Sequence, residues 1–562
     1  MLRTITIVMT ILSLTFAGSA AAAPPEIRLV LQLTVDQLRG DLPLRYADRF
    51  GKGGFRYLLE KGVWYTNAQY RHANTETIVG HTSLATGTVP AMHGMIGNVW
   101  LDRDEGALHY NVEDGRYALL SEDAGVDRSS ELDPTQRVAK TEGRSPAAIA
   151  TSTFSDELAS RYGDRAKIFA VSVKDRGAIP LAGSGGKAFW FSKAAGEFVT
   201  STYYYDRYPE WVTDWNRQGM PKQYSAKSWN LLNPAETYRF AGHDDQPWET
   251  DFPGYGRVFP HPWGDASSQY FTTFLTLSPA GDELTLDFAK ALVLAEGLGQ
   301  DPVPDYLSIS FSSTDYVGHL FGASSLEMED NLLHLDRTLA ALFAFIDETV
   351  GLKHTLIVLS ADHGGPEAPG YLDSLGHDYA YVDTEQLSPD KLNPLLEKKL
   401  GRKGRLVEAY YHPYVYLDRK AVAKGKQSLE QVQKALAEII QDLPQVNAAF
   451  SSTAIETGQI SVDPISEMVR ANHFPKRSGD VYVVFRPQEF PNDFDGLVVA
   501  ATHGSPWRYD RFVPVVFAGN GIKGKRVSRP VTPYDIAVTL ANRLGVTAPS
   551  GAIGEPLVEV AP

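Results

Sequence analysis

Five short, almost uniformly apolar runs recur along this chain, and they restrict its architecture more than any other feature. They are IRLVLQLTV from Ile27, KIFAVSV from Lys167, DYLSISFS from Asp305, TLIVLSA from Thr355 and VPVVFAG from Val513. A strand wetted on one face alternates polar and apolar residues. Runs this uniform belong to strands covered on both faces, as in a parallel sheet. Helical patterns separate them. The clearest, Ser325 to Val350, repeats apolar residues every three or four positions, and a shorter one opens at Thr532 beside a proline and closes at Gly545. Strands alternating with helices predict an α/β fold with a mostly parallel central sheet flanked by helices.

Two stretches break the rhythm. Residues from about 181 to 300 are rich in aromatics, Pro and Gly, and residues from about 371 to 494 hold a basic helix, a helix around SLEQVQKALAEIIQDL and the strand-like DVYVVF. Both read as insertions on one core, so residues 24–562 are expected to form a single domain. A core of this size needs neither disulfide nor metal to stay folded. Residues 1–23 have the plan of a secretory signal: Arg3, an apolar run from Ile5 to Phe16, then small residues up to Ala23. The run is shorter than the ~20 residues a membrane span needs. Cleavage, export to the periplasm or medium, and no remaining membrane anchor are expected.

In open α/β sheets, ligands bind beyond the carboxyl ends of the strands. Asp36 follows the first run, Asp315 and His319 follow DYLSISFS, Asp362 and His363 follow TLIVLSA, and His503 follows GLVVAAT, read here as one more strand. A lone Asp in such a place is usually a cap or turn residue. Three Asp and three His converging from distant parts of the chain point instead to metal binding. The chain has no Cys, which excludes disulfides, thiolate sites, iron–sulfur clusters and cysteine nucleophiles. Any transition metal must rest on His, Asp or Glu. The Asp315–His319 spacing puts both on one face of a helical turn, and the glycines after His363 permit a tight turn beside an ion. Such donors suit zinc, and six are enough for two ions sharing one substrate.

The segment NTETIVGHTSLATG adds a nucleophile. Thr77 precedes a helical pattern, where unpaired N–H groups and the helix dipole favour an anion. Lys174 and Arg176, directly after KIFAVSV, offer a point charge and a planar fork for the terminal oxygens of a phosphate. The chain carries 53 Lys+Arg against 68 Asp+Glu, a net charge of −15. That balance argues against general nucleic-acid binding and leaves a small anionic substrate open.

The order Asp36, T-I-V-G-H from Thr77, D-x-x-x-H from Asp315, D-H-G from Asp362 and H-G from His503 resembles the alkaline phosphatase superfamily. The threonine form resembles its nucleotide pyrophosphatase/phosphodiesterase branch. Asn98 in MIGNVW, with Lys174 and Arg176, sharpens the resemblance to the exported, phosphate-irrepressible alkaline phosphatases of the PafA type, across nearly the whole mature chain. The resemblance implies a catalytic domain that hydrolyses small phosphate monoesters through a phosphothreonine at Thr77. It implies one zinc on Asp36, Asp362, His363 and the Thr77 oxygen, and a second on Asp315, His319 and His503. Asn98, Lys174 and Arg176 would contact the phosphoryl oxygens, and a monomer is favoured. His81 and His93 would support the site or the fold, His377 would be a loop residue, and the aromatics of 203–215 would pack rather than wall the cleft. A phosphodiesterase or nucleotide pyrophosphatase on the same scaffold is the nearest alternative, and a non-catalytic zinc-binding protein of the periplasm a third. A sulfatase is disfavoured, since the usual formylglycine precursor is Cys.

Overall fold

The computed structural model describes residues 26–494 and 496–561; the expected leader, residues 1–23, lies outside them. The main sheet is built from β1 (Leu29–Val35), β2 (Val63–Gln69), β3 (Ile168–Ser172), β4 (Lys187–Ser192), β5 (Glu197–Val199), β6 (Asp305–Phe311), β7 (Thr355–Ser360), β8 (Phe512–Gly519) and β9 (Lys525–Val527). Their order across the sheet is β9-β2-β8-β7-β1-β6-β3-β4-β5. The central strands β7, β1, β6, β3 and β4 run parallel; β8 and β5 run antiparallel to their inner neighbours. The fold is α/β with a mixed, mostly parallel sheet, as the apolar runs predict.

Successive residues of β1 enter two cores. Leu29, Leu31, Leu33 and Val35 pack on one face and Val30 on the other. The helices α3 (Pro279–Glu296) and α5 (Leu326–Thr349) cover the first face. The second is covered by α1 (Thr77–Thr86), α2 (Asp175–Ala182) and α6 (Asp535–Leu544). With both faces buried, a strand has no solvent side to alternate toward, which explains the uniform runs. Each fully buried Leu or Val contributes roughly 1.5–3 kcal/mol.

Register fixes where the site can form. Val35 of β1 pairs with Phe311 of β6, Thr34 with Ser360 of β7, and Ser310 of β6 with Ser172 of β3. The four strands therefore end level, and whatever follows each of them meets at one edge. Asp36, Lys174, Asp362 and the helix α4 (Ser313–Phe321) all emerge there.

Residues 203–215 pack rather than line a cleft. Trp215 Nε1 donates to Asp287 of α3 at 2.8 Å, and Phe198 stacks on Phe288 with ring centroids 4.2 Å apart. In the second stretch, strands Val407–Tyr411, Tyr414–Leu417, Val481–Phe485 and Val446–Ser451 form an antiparallel sheet in that order. Val415, Leu417, Val481 and Val483 pack under helices Pro389–Leu400 and Leu429–Gln441, while Tyr414, Tyr416 and Tyr482 face the main body. One expectation fails: GLVVAAT is not a strand of either large sheet. Only Leu497–Val498 pairs, with Asp493–Phe494, and the N–H groups of Ala500 and Ala501 donate to the His319 carbonyl at 2.8 and 3.2 Å. His503 thus reaches the site from a loop fastened to the end of α4.

Candidate active site

The six Asp and His residues converge at the level strand ends, their side chains buried. Asp315 and His319 lie one turn apart on α4, as their spacing predicts. Asp315 Oδ1 is 3.3 Å from His319 Nε2 and 3.4 Å from His503 Nε2, and these three form one compact donor group. Asp36, His363 and again Asp315 form a second, with Asp36 Oδ1 3.4 Å from His363 Nε2. Asp362 stands beside it, its Oδ2 also 3.4 Å from His363 Nε2.

Hydrogen bonds aim these rings. His319 Nδ1 donates to Ala501 O at 2.8 Å, His503 Nδ1 to Thr75 O at 2.7 Å and His363 Nδ1 to Gly364 O at 2.8 Å. A carbonyl can only accept, so each Nδ1 carries the proton and each Nε2 presents a lone pair to the carboxylates. Asp36 Oδ1, Asp362 Oδ2 and His363 Nε2 are fully buried and have no hydrogen-bond partner among the described residues. Unpartnered buried acceptors are costly, and the carboxyl groups of Asp36 and Asp315 share one buried ammonium, that of Lys174. Cations remove both penalties, so the residues fit a site for divalent metal. Burial, and then the neighbouring Asp362, push the Asp36 carboxyl well above the carboxylate range despite Lys174. Burial also raises Asp315, but the pull of Lys174 and His319 outweighs it and holds that carboxyl well below the range.

Gln37, unmarked by the sequence, ties the ligand elements together. Its N–H donates to Asp362 Oδ1 at 3.2 Å and its Nε2 to Asp315 Oδ1 at 2.7 Å. It does so from a left-handed backbone, φ 64°. His81 acts likewise: Nδ1 donates to Thr77 O at 2.9 Å, 3.1 Å from Asp362 Oδ2, while Nε2 accepts from Ser310. Gly80 permits this closeness, because a Cβ there would lie 2.0 Å from the Asp362 carbonyl oxygen. His93 bonds Ser83 and Met95 and is structural; His377 is exposed and belongs to neither donor group.

A cavity of about 340 Å3 opens above the donors, and Thr77, Asn98, Arg176, Asp315, His319 and His503 line it. Thr77 is the first residue of α1, preceded by an extended Glu76. Asn98 Oδ1 accepts from Ile78 N at 3.2 Å, which fixes the amide orientation and leaves Nδ2 as the free donor among the described residues. Arg176 Nη2 donates to Asp133 Oδ2 at 2.6 Å and Nη1 to Tyr110 OH at 3.3 Å. Tyr110 in turn donates to Asp175 at 2.6 Å, so Asp175 braces the arginine's partner. Burial pushes the Glu76 carboxyl up to about 7, with a hydrogen bond from Asn98 N opposing.

Lys174 departs from expectation. Its ammonium does not line the cavity but bridges Asp36 Oδ2 at 2.8 Å and Asp315 Oδ2 at 2.5 Å, 4.7 Å from the centre of the Tyr316 ring. The Oδ1 atoms of the same carboxylates face the imidazoles. An ammonium has three donors, so the bridge leaves one N–H uncommitted.

Level strand ends, paired Asp/His donor groups and a helix-borne threonine above them are the plan of the alkaline phosphatase superfamily. The family model described as type I phosphodiesterase / nucleotide pyrophosphatase matches residues 30–506, and the chain belongs to that family. It is 34% identical over 547 residues to alkaline phosphatase PafA of Elizabethkingia meningoseptica, covering 96% of this chain and 95% of that protein. It is 32% identical over 550 residues to a Myroides odoratus protein named calcium-transporting ATPase, covering 97% and 96%. Among the described residues no helix is long and apolar enough to cross a membrane. The crystal structure of wild-type PafA superposes with a TM-score of 0.85 at 31% identity, covering 96% of this chain and all of that one.

Proposed function

We propose that this chain is an exported alkaline phosphatase that hydrolyses phosphate monoesters through a phosphothreonine at Thr77. The observation that carries the reading is one cavity in which Thr77, at the start of α1, shares walls with Asp315, His319, His503, Asn98 and Arg176. Asp36, Asp362, His363 and Thr77 Oγ would hold one zinc, and Asp315, His319 and His503 another; when bound, these ions would neutralise charge on the attacking and leaving oxygens.

The chain's own groups do the rest. The first turn of α1 directs its dipole at the phosphoryl group. Arg176 and the Asn98 amide donate to the non-bridging oxygens, Arg176 oriented by Asp133 and Tyr110. Thr77 Oγ gives up its proton to solvent and forms a bond to phosphorus as the bond to the alcohol oxygen breaks, and the departing alkoxide takes a proton back from solvent to leave as the alcohol. Water then attacks the phosphothreonine from the vacated side, restoring the Thr77 hydroxyl and releasing inorganic phosphate. His81 and Gln37 keep Thr77, Asp362 and Asp315 in register through both halves.

Acid quench of the zinc-loaded protein during turnover should trap phosphate on Thr77, found by peptide mass spectrometry. Thr77→Ser should retain turnover and Thr77→Ala should lose it by orders of magnitude. Unchanged turnover by Thr77→Ala would remove the covalent step. Diesterase activity on this scaffold is the second reading, favoured by the apolar outer wall of the cavity. Rates on a monoester and a diester of the same phenol separate the two.

A further inference from the structure

Beyond Thr77 and Arg176 the cavity changes character. Its outer wall includes Leu132, Leu277, Tyr410, Phe494 and Leu497. Phe494 stands against the His319 ring, centroids 5.0 Å apart, so the apolar surface begins where the donors end. The other groups on that wall are neutral or acidic. Burial drives the His412 pKa down to about 4, with its Nε2 3.2 Å from Gly504 O, and burial holds Tyr410 as the neutral phenol. The carboxylates of Asp133 and Asp493 and the carboxyl of Glu76 also line the cavity. Its one arginine, Arg176, is already paired with Asp133.

Such a chamber selects what the phosphate is attached to. A phosphoryl group gripped at Thr77 fills only the inner part of about 340 Å3. The leaving group occupies the rest, beside aromatic and aliphatic side chains that gain from covering a ring. A leaving group bearing its own carboxylate or phosphate would give up water for apolar walls and face like charges, with no unpaired Lys or Arg among the described lining residues to pair it. We propose that the outer chamber is a leaving-group subsite for uncharged aromatic alcohols, and that it discriminates against monoesters whose alcohol carries a negative charge.

The proposal rests on the monoesterase reading, and the test keeps the two apart. Phenyl phosphate and 3-carboxyphenyl phosphate have phenols of nearly equal acidity, so the chemical step treats them alike. With zinc-loaded protein, kcat/KM for phenyl phosphate should exceed that for the carboxylated ester by about tenfold or more, one repulsive contact of ~1.4 kcal/mol sufficing. Leu497→Lys supplies the missing cation and should narrow the ratio, with the melting temperature checking that the variant folds. Equal kcat/KM for the two esters, preference for the carboxylated one, or an unchanged ratio in a folded Leu497→Lys variant would overturn the subsite while monoesterase activity stands. Failure of zinc-loaded protein to hydrolyse either ester would overturn the functional reading, and the subsite with it.

Discussion

Replacing Lys174 by Met tests whether its ammonium is the counter-charge of the proposed metal-ligand carboxylates Asp36 and Asp315 or only a phosphate contact. Lys174 is fully buried, as is Asp36, and Asp315 is nearly so, so solvent screening does not dilute the interaction. Hydrogen bonds to charged groups contribute about 1.5–3 kcal/mol each, and breaking a buried pair costs about 3–5 kcal/mol. The two bridges together therefore predict roughly 3–5 kcal/mol lost by chelated protein. Cations on the Oδ1 side neutralise the same carboxylates, so the zinc-loaded variant should lose only the unsatisfied Oδ2 acceptors, about 1–3 kcal/mol. The difference must reappear as tighter zinc binding by the variant, since metal that binds only the folded state adds its affinity to stability. Calorimetric melting with and without chelator, and competition with a zinc-binding dye, measure both sides of the cycle. Equal destabilisation in the two states, or zinc affinity no tighter than wild type, would refute the counter-charge role.

Arg176→Ala removes a charged donor that a monoester uses more fully than a diester, so monoester kcat/KM should fall about ten- to a hundredfold and diester kcat/KM much less, both read with the same phenol. Gly80→Ala puts a methyl group 2.0 Å from the Asp362 carbonyl oxygen; overpacking of this kind costs about 1–3 kcal/mol, and turnover should fall further because Thr77 and Asp362 separate, as melting and kcat will record. Asp282, held by Ser313 N at 3.2 Å with its other oxygen unpartnered among the described residues, has its pKa raised by burial to about 7. The folded state binds that proton more tightly than the unfolded state, so the contribution is complete below pH ~4 and is lost as pH rises to about 7, at ~1.4 kcal/mol per pH unit. Asp282→Asn, permanently neutral, should match wild type near pH 4 and be the more stable protein above neutrality, by urea denaturation across pH.

What the sequence made legible was whatever sits next to a local signal. Asp36, Asp315 and Asp362 follow apolar runs, and a run covered on both faces shows itself in composition, so the level edge could be anticipated without coordinates. The helix α5 follows its period, with Ser325 capping Met328 N as a serine before an apolar stripe should. GLVVAAT misled because apolar residues bury equally well in a loop: its N–H groups find the His319 carbonyl instead of a neighbouring strand. Gln37, Asp133 and the true partners of Lys174 were beyond reach for a common reason. Each depends on which strand ends lie side by side, and the pairing of Lys174 with Asp315 spans 141 positions in the chain.

The same geometry bears on how an acidic protein would hold a dianion, as the monoesterase reading requires. Beneath the cavity Asp36 and Asp315 share the one ammonium of Lys174, and the cavity lining adds Glu76, Asp133 and Asp493 against a single arginine. Without further positive charge this cavity repels a phosphate monoester. Arg176 does not reverse that balance, because its guanidinium is already committed to Asp133 at 2.6 Å. Asp133 orients the fork and also partly neutralises it, which on the same reading would favour release of a doubly charged product. On the monoesterase reading, the grip on the phosphoryl group would depend on cations at the imidazole and Oδ1 faces, with Lys174 separating the two carboxyl groups on their Oδ2 side.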